Sequence, residues 1–214
     1  MVTGRRLRQR SGETAPMELR CPKVILRPLT MDDYASWHEV RSRCRAWLLP
    51  WEPRSSAAGY PEENRSTYQT RCEIRDREWQ AGSGFAFGIF TLAEQHFVGE
   101  ASLSSIQRGP FQSGFIGYWI DKLHAGNGYA PEATATLLAF AFEKLALHRV
   151  EVAIVPRNRP SRRVAEKLGL RNEGVSVGYL EIDGRWEDHV RYAITVEEWI
   201  ARRGWYATEW LGGR

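Results

Sequence analysis

Cysteine is scarce in this chain of 214 residues: Cys21, Cys44 and Cys72 stand far apart. An odd count at scattered spacing excludes a disulfide framework and any Cys-x-x-Cys metal or redox motif, so reduced thiols are expected. The histidines (His38, His96, His124, His148 and His189) are equally dispersed, and no zinc-ligand spacing arises; no metal is expected. Long hydrophobic runs are missing too. No apolar stretch approaches the ~20 residues that span a bilayer. The N-terminus lacks the apolar core of a secretory signal, so a cytoplasmic location without membrane attachment is expected. Charge of one sign is also in short supply. The formal net charge is +4, but Arg5, Arg6, Arg8 and Arg10 against Glu13 put +3 of it into residues 1–16. The remainder is nearly neutral, which excludes a plain nucleic-acid binder and leaves no specific nucleic-acid partner.

What is present is an ordinary globular composition, 43% hydrophobic and 26% charged. Residues 1–16, without periodicity, read as a disordered basic arm, or else Met17 is the true start; residues 17–214 read as one domain. A strand is expected over 23–29, ending at Pro28. A helix follows from the Thr-x-x-Asp cap signal at Thr30. "RAWLLPWEP" is apolar, aromatic and broken by Pro50 and Pro53. An exposed helix is expected over 61–81, opening at Pro61. Strands at 85–90 and 97–103 form a hairpin across a short polar turn. A third strand covers 114–120, then a helix 131–147 with Ala133, Leu137, Leu138, Ala141 and Leu145 on one face. A strand at 149–155, a helix from Pro160 to Gly169, a hairpin around Asp183-Gly184 and a helix in "TVEEWIARRG" complete the chain. The order predicts a mixed α/β domain with one predominantly antiparallel sheet.

The stretch 124–133, "HAGNGYAPEA", is the strongest local signal. Glycines let the backbone turn tightly and let a ligand approach its N–H groups. The helix that follows offers unpaired N–H donors and a partial positive charge, which together suit a phosphate. Pro131 suits a first helical position, where its missing N–H goes unneeded. A Walker loop needs Gly-Lys-Ser/Thr, which is absent, and the third glycine of a dinucleotide fingerprint is Pro131. A pyrophosphate cradle and a ligand-free tight turn remain open on this loop alone.

The combination "GYWI…GNGYAPEA…PRNRPSRRVAEKLGL" resembles the GNAT N-acetyltransferases. Gly128 and Ala130 match the last two fixed positions of their signature loop, Asn158 matches their downstream Asn, and "EKLGL" matches the end of their next helix. "IGYWI", "LLPWEP" and "YLEIDGRWEDHVRYAIT" are similar to the RimJ/RimL branch, which acetylates N-terminal amines of ribosomal proteins. The resemblance covers about residues 20–200. It implies a GNAT fold: a mostly antiparallel twisted central sheet flanked by helices, of α+β type. Acetyl-CoA would lie on a central strand–loop–helix site, its pantetheine between strands 114–120 and 149–155. It also implies cofactor contacts from the backbone near Trp119 and Ile120, from Gly126, Asn127, Gly128, Tyr129 and Ala130, and from Asn158, Ser161, Arg162 and Arg163. Two positions depart from the pattern. Ala125 replaces the Gln or Arg of the loop, leaving His124 or Asn127 to supply that contact. The tyrosine that is general acid in many members falls at Ala165. Ser161 sits where RimL-like members carry a serine near the thioester sulfur.

Acetyl transfer to an amine needs a held donor, N–H groups for the developing oxyanion, a neutral amine and a partner for the leaving thiolate. Glu100 is the expected base, acting through water, and Ser161 the expected acid or thiolate partner. The resemblance implies that Trp51 and Glu52 face the incoming substrate, where Glu52 could pair with its amine. Trp186, Glu187 and Asp188 are expected along the same groove. The expected partner is a protein or peptide N-terminus, such as a ribosomal protein's. A small-molecule amine acceptor, or a CoA-binding scaffold with little catalysis, remains open. A hydrophobic edge strand would let two copies pair as a homodimer.

Overall fold

The computed structural model describes residues 17–53 and 62–213. The expected arm at 1–16 and the expected helix start at Pro61 lie outside them. The described chain runs β1 (Leu19–Arg20), β2 (Val24–Arg27), a 3-10 turn (Met31–Asp33), α1 (Tyr34–Leu48), a second 3-10 turn (Leu49–Trp51) and α2 (Arg65–Ala81). It continues with β3 (Phe85–Thr91), β4 (Phe97–Gln107), β5 (Ser113–Ile120), a 3-10 turn (Lys122–His124), α3 (Tyr129–Ala139) and a π-turn (Phe140–Lys144). β6 (Arg149–Ile154), α4 (Arg159–Lys167), β7 (Arg171–Ile182), β8 (Arg185–Thr195) and α5 (Val196–Trp210) end it.

The eight strands form one sheet in the order β1-β2-β3-β4-β5-β6-β8-β7. Every neighbouring pair is antiparallel except β5 and β6, the expected strand–helix–strand crossover. That parallel pair is short. Its register runs only from Ser113–Arg149 to Phe115–Glu151. Beyond it, residues 116–120 and 152–154 diverge and open a slot through the middle of the sheet.

The two faces of the sheet bury different cores. On one face, Val150, Val152 and Ile154 of β6 and Val190, Tyr192 and Ile194 of β8 pack with α3, α4 and α5. On the other, Trp37, Val40, Cys44 and Leu48 recur along α1 at helical spacing and meet Ile25, Phe90, Phe97 and Trp119. Because strand side chains alternate, β5 sends Ile116 and Tyr118 to the first face and Trp119 to the second.

Several boundaries differ from expectation for local reasons. α2 starts after Asn64, whose side chain accepts from Thr67 N at 3.0 Å; a capping amide outranks the upstream proline. α3 begins at Tyr129, so Pro131 takes the third helical position rather than the first, still within the turn whose N–H groups lack helical acceptors. α1 extends through Leu48 before Pro50 breaks it. At the last hairpin, Asp183 and Gly184 both have positive φ, 47° and 78°, the type I′ geometry expected of Asp-Gly.

Candidate active site

The loop between β5 and α3 is tied down from beneath. Asp121 is fully buried. Its carboxylate accepts from Arg43, from Cys44 Sγ at 3.0 Å and from Leu123 N at 3.2 Å, and His124 Nδ1 lies 2.9 Å away. Burial alone would raise this carboxyl, but the arginine and the other donors hold it well below the usual range. So anchored, the chain turns through Gly126 and Gly128, at φ 89° and 83°. A Cβ at Gly126 would meet nothing within 4 Å. Glycine is needed there for conformation, not for space. Gly128 is the N-cap of α3 and has no side chain to cap with, so the first-turn N–H groups stay open toward a ligand. Lys23 Nζ donates to Asn127 O at 3.3 Å and puts a cation beside the cradle. Glu132 supports the same turn: its carboxylate accepts from Lys23 N at 2.6 Å and Val24 N at 3.1 Å, joining α3 to β2.

A cleft of about 900 Å³ runs from this loop through the β5–β6 slot to the α1 side. Backbone alternation decides which amides face the slot. Asp121 N donates to Val98 O of β4 at 2.8 Å. Trp119, two residues back, therefore also points its peptide groups at β4; a Cβ on Gly99 would sit 2.2 Å from Trp119 O. Tyr118 and Ile120 are left facing the slot, past the last β5–β6 pair. The expectation of backbone donors near Trp119 and Ile120 is thus corrected for Trp119, which reaches the cleft by its indole, while Ile120 and Tyr118 carry the free N–H groups.

On the α3–α4 side, Asn158 caps α4, its Oδ1 accepting from Ser161 N at 3.2 Å. Tyr118 Oη lies 3.0 Å from Ser161 Oγ and 3.1 Å from Ser161 O. Burial pushes the Tyr118 phenol well above its ordinary value, and the Ser161 hydrogen bond only partly offsets this. Asn158, Ser161 and Arg163 line the cleft, joined by Lys167 one turn after Arg163. Arg162 turns elsewhere, its Nε donating to Tyr192 Oη at 3.2 Å, because α4 sends adjacent positions in different directions.

On the opposite side, Trp51 and Glu52 line the cleft with Arg41, Glu63 and Trp119. Glu52 is already engaged. Arg41 donates to it and, at 2.6 Å, to Glu63, with its Cζ 5.3 Å from the Trp119 ring centroid. Asp183 N donates to Glu52 O at 3.2 Å, and Pro53 bridges to Ile182, so the β7–β8 hairpin holds this wall in place. Arg157 stacks 5.4 Å from the Trp51 centroid and pairs with Glu187 at 2.6 Å. Trp186 is 70% exposed and, like Asp188, does not line the cleft.

Glu100 also reaches the cleft, but it is buried rather than open to solvent. Trp37 Nε1 donates to Oε1 at 2.8 Å, Arg71 donates to Oε2 at 2.8 Å, and Arg75 donates to the same oxygen. Burial favours the neutral acid, yet the two guanidinium groups outweigh it and hold the carboxyl at about 2. A carboxylate so fully satisfied is a poor proton acceptor. The expectation of Glu100 as base is corrected on that ground: it anchors Arg71, Arg75 and Trp37. Tyr118, Lys23, Asp121 and the buried His189 escaped sequence reasoning. Tyr118 was legible as the residue alternating with Trp119, and the others had no signal short of the fold.

The acetyltransferase (GNAT) domain family matches residues 23–171. The chain is 43% identical to the probable N-acetyltransferase YjcK of Bacillus subtilis (strain 168), over 82% of this chain and 96% of that one. It is 34% identical to the [ribosomal protein uS5]-alanine N-acetyltransferase of Escherichia coli (strain K12), over 74% of this chain and 80% of that one. The solved structure of Mycobacterium smegmatis RimJ in complex with CoA-disulfide superposes with a TM-score of 0.77 at 32% identity, covering 88% of this chain and 94% of that chain. The uncapped loop, the slot with its two outward amides and the Asn158-capped helix fit a CoA thioester on their own chemistry. The chain belongs to the GNAT family of N-acetyltransferases.

Proposed function

We propose that this enzyme moves the acetyl group of acetyl-CoA to the N-terminal α-amino group of a protein, with a ribosomal protein as the favoured class of acceptor. The carrying observation is the slot. β5 and β6 part after Phe115–Glu151, giving a thioester and an amine access to one point from opposite faces of the sheet. The uS5-alanine specificity of one relative supports the choice of acceptor.

Acetyl-CoA supplies an activated acyl group with a thiol leaving group. The loop 126–130 and Lys23 hold its pyrophosphate, and Arg163 and Lys167 add positive charge along α4. Ile120 N–H, with Tyr118 N–H behind it, faces the site where negative charge builds on the carbonyl oxygen. Ser161 offers its hydroxyl to the departing sulfur while Tyr118 orients it through the 3.0 Å contact. Trp51, Trp119 and the Arg41–Glu52–Glu63 cluster form the acceptor wall. An α-amino group has an ordinary pKa of about 7.7–8.0, so a modest base suffices to present it neutral.

The test is thiol release from acetyl-CoA with short peptides beginning Ala, Ser, Thr or Met, each with a free and a blocked N-terminus. Release that requires the free α-amino group supports the reading. Equal release with blocked peptides, or none while acetyl-CoA still binds by calorimetry, overturns it in favour of a small-molecule acceptor or a CoA-binding scaffold.

A further inference from the structure

We propose that His189 is the general base that takes the proton from the acceptor amine; this rests on the acetyl-transfer reading above. Three observations converge on it. The first is position. Val190 pairs with Ile154 at the end of β6, so His189 stands level with Val155, at the mouth of the slot. Val190, Tyr192 and Ile194 face the α3–α5 core, so His189 faces the acceptor side, and it lines the same cleft as Trp119, Glu52 and Arg41.

The second is the tautomer. His189 Nδ1 lies 3.0 Å from Glu187 O. A carbonyl only accepts, so Nδ1 carries the hydrogen and Nε2 keeps its lone pair. The described residues give Nε2 no hydrogen-bond partner. The ring is held edge-on to Tyr179, with centroids 5.5 Å apart.

The third is electrostatic. The charged groups around the ring largely cancel. On its own strand, Glu187 is paired with Arg157 of the β6–α4 turn, Arg191 with Glu151 of β6, and Asp188 accepts from Gly178 N of β7 at 2.8 Å. Across the cleft, Glu52 is paired with Arg41. Tyr179 is the titratable neighbour from β7. Burial then decides, moving the imidazole below its ordinary value and keeping it neutral at pH 7. The residue is 2% exposed, so its lone pair is spared for what enters the cleft.

The amine nitrogen bonds to the thioester carbon and gives one proton to Nε2. The carbon–sulfur bond breaks, the thiolate departs against the Ser161 hydroxyl, and solvent returns a proton to sulfur and takes one from Nε2.

The experiment pairs kinetics with a direct view of the ring. His189→Gln places an amide near Nε2, and His189→Asn keeps a donor for Glu187 O; neither has a base. In both, kcat at pH 7 falls by roughly a hundredfold, while acetyl-CoA affinity by calorimetry stays within about twofold. Wild-type kcat holds its plateau to below pH 6.5 and then drops; the variants lose that acid limb and climb steadily with pH. Nitrogen-15 NMR of histidine-labelled protein with CoA bound shows, for the resonance missing in the variants, a protonated Nδ1 and a bare Nε2. Variants that keep the wild-type rate and acid limb overturn the assignment, as does an Nε2–H tautomer or a ring charged at pH 7. If no peptide is acetylated even by wild type, the acceptor reading fails separately, and the NMR titration still decides the state of His189.

Discussion

Tyr118 and Trp119 are neighbours in the chain that work on opposite faces of the sheet, and this alternation divides the chemistry. Tyr118 touches Ser161 of α4 on one face, and Trp119 packs with α1 on the other. Tyr118→Phe removes one hydroxyl from a buried site. Stopped-flow thiol release should show kcat reduced about tenfold with KM for acetyl-CoA little changed, because in the proposed mechanism the hydroxyl orients the partner of the leaving sulfur and not the ground-state donor. Glu100 makes a different prediction. Its carboxyl titrates near 2 when folded and near 4.5 as an ordinary group. A depressed folded value means the stabilisation is complete above about pH 4.5 and is lost as pH falls toward 2. At about 1.4 kcal/mol per pH unit, this amounts to at most roughly 3–4 kcal/mol. Urea unfolding from pH 6 to pH 3 should show wild type losing stability steeply and Glu100→Gln, weaker at pH 6, losing less. At this scale the sequence was only partly legible. Glu100 and Ser161 stand out as chemistry-bearing residues, but nothing in "FVGEASL" reveals that Arg71 and Arg75 will close on the carboxylate from another element.

Two elements shape the cleft, and each yields a separable prediction. The β5–α3 loop needs left-handed backbone at Gly128, where a Cβ would find only the flexible end of Lys23 at 3.3 Å. Gly128→Ala therefore costs conformation rather than packing, about 1–2 kcal/mol. Calorimetry should show acetyl-CoA binding weakened roughly tenfold, with peptide KM unchanged. The β7–β8 hairpin governs the other wall. Gly184→Ala strains the type I′ turn that carries the Asp183 N to Glu52 O bond. Peptide KM should rise severalfold, with acetyl-CoA affinity kept. Both elements were readable in advance, because "GNG" and "DG" state their backbone needs locally. The start of α3 was not. Pro131 is equally comfortable at its third position, and the fold, through Glu132 and β2, decides which it takes.

At the scale of the molecule, the central feature is the short parallel pairing that lets β5 and β6 diverge. Sequence patterning shows a crossover between these strands, but not where their hydrogen bonding stops, which depends on how α3 and α4 pack on one face and α1 on the other. That His189 and Ser161 line one cleft lies beyond any local motif. On the proposed function, donor and acceptor meet through the sheet, and the acceptor enters along the wall that Trp51 and Trp119 line. The most direct measurement is mass spectrometry of a peptide carrying both a free α-amino group and an internal lysine, after incubation with the enzyme and acetyl-CoA. One acetyl group is expected, located on the N-terminal residue. An acetyl group on the lysine, or an unmodified peptide alongside protein that binds acetyl-CoA, would contradict it.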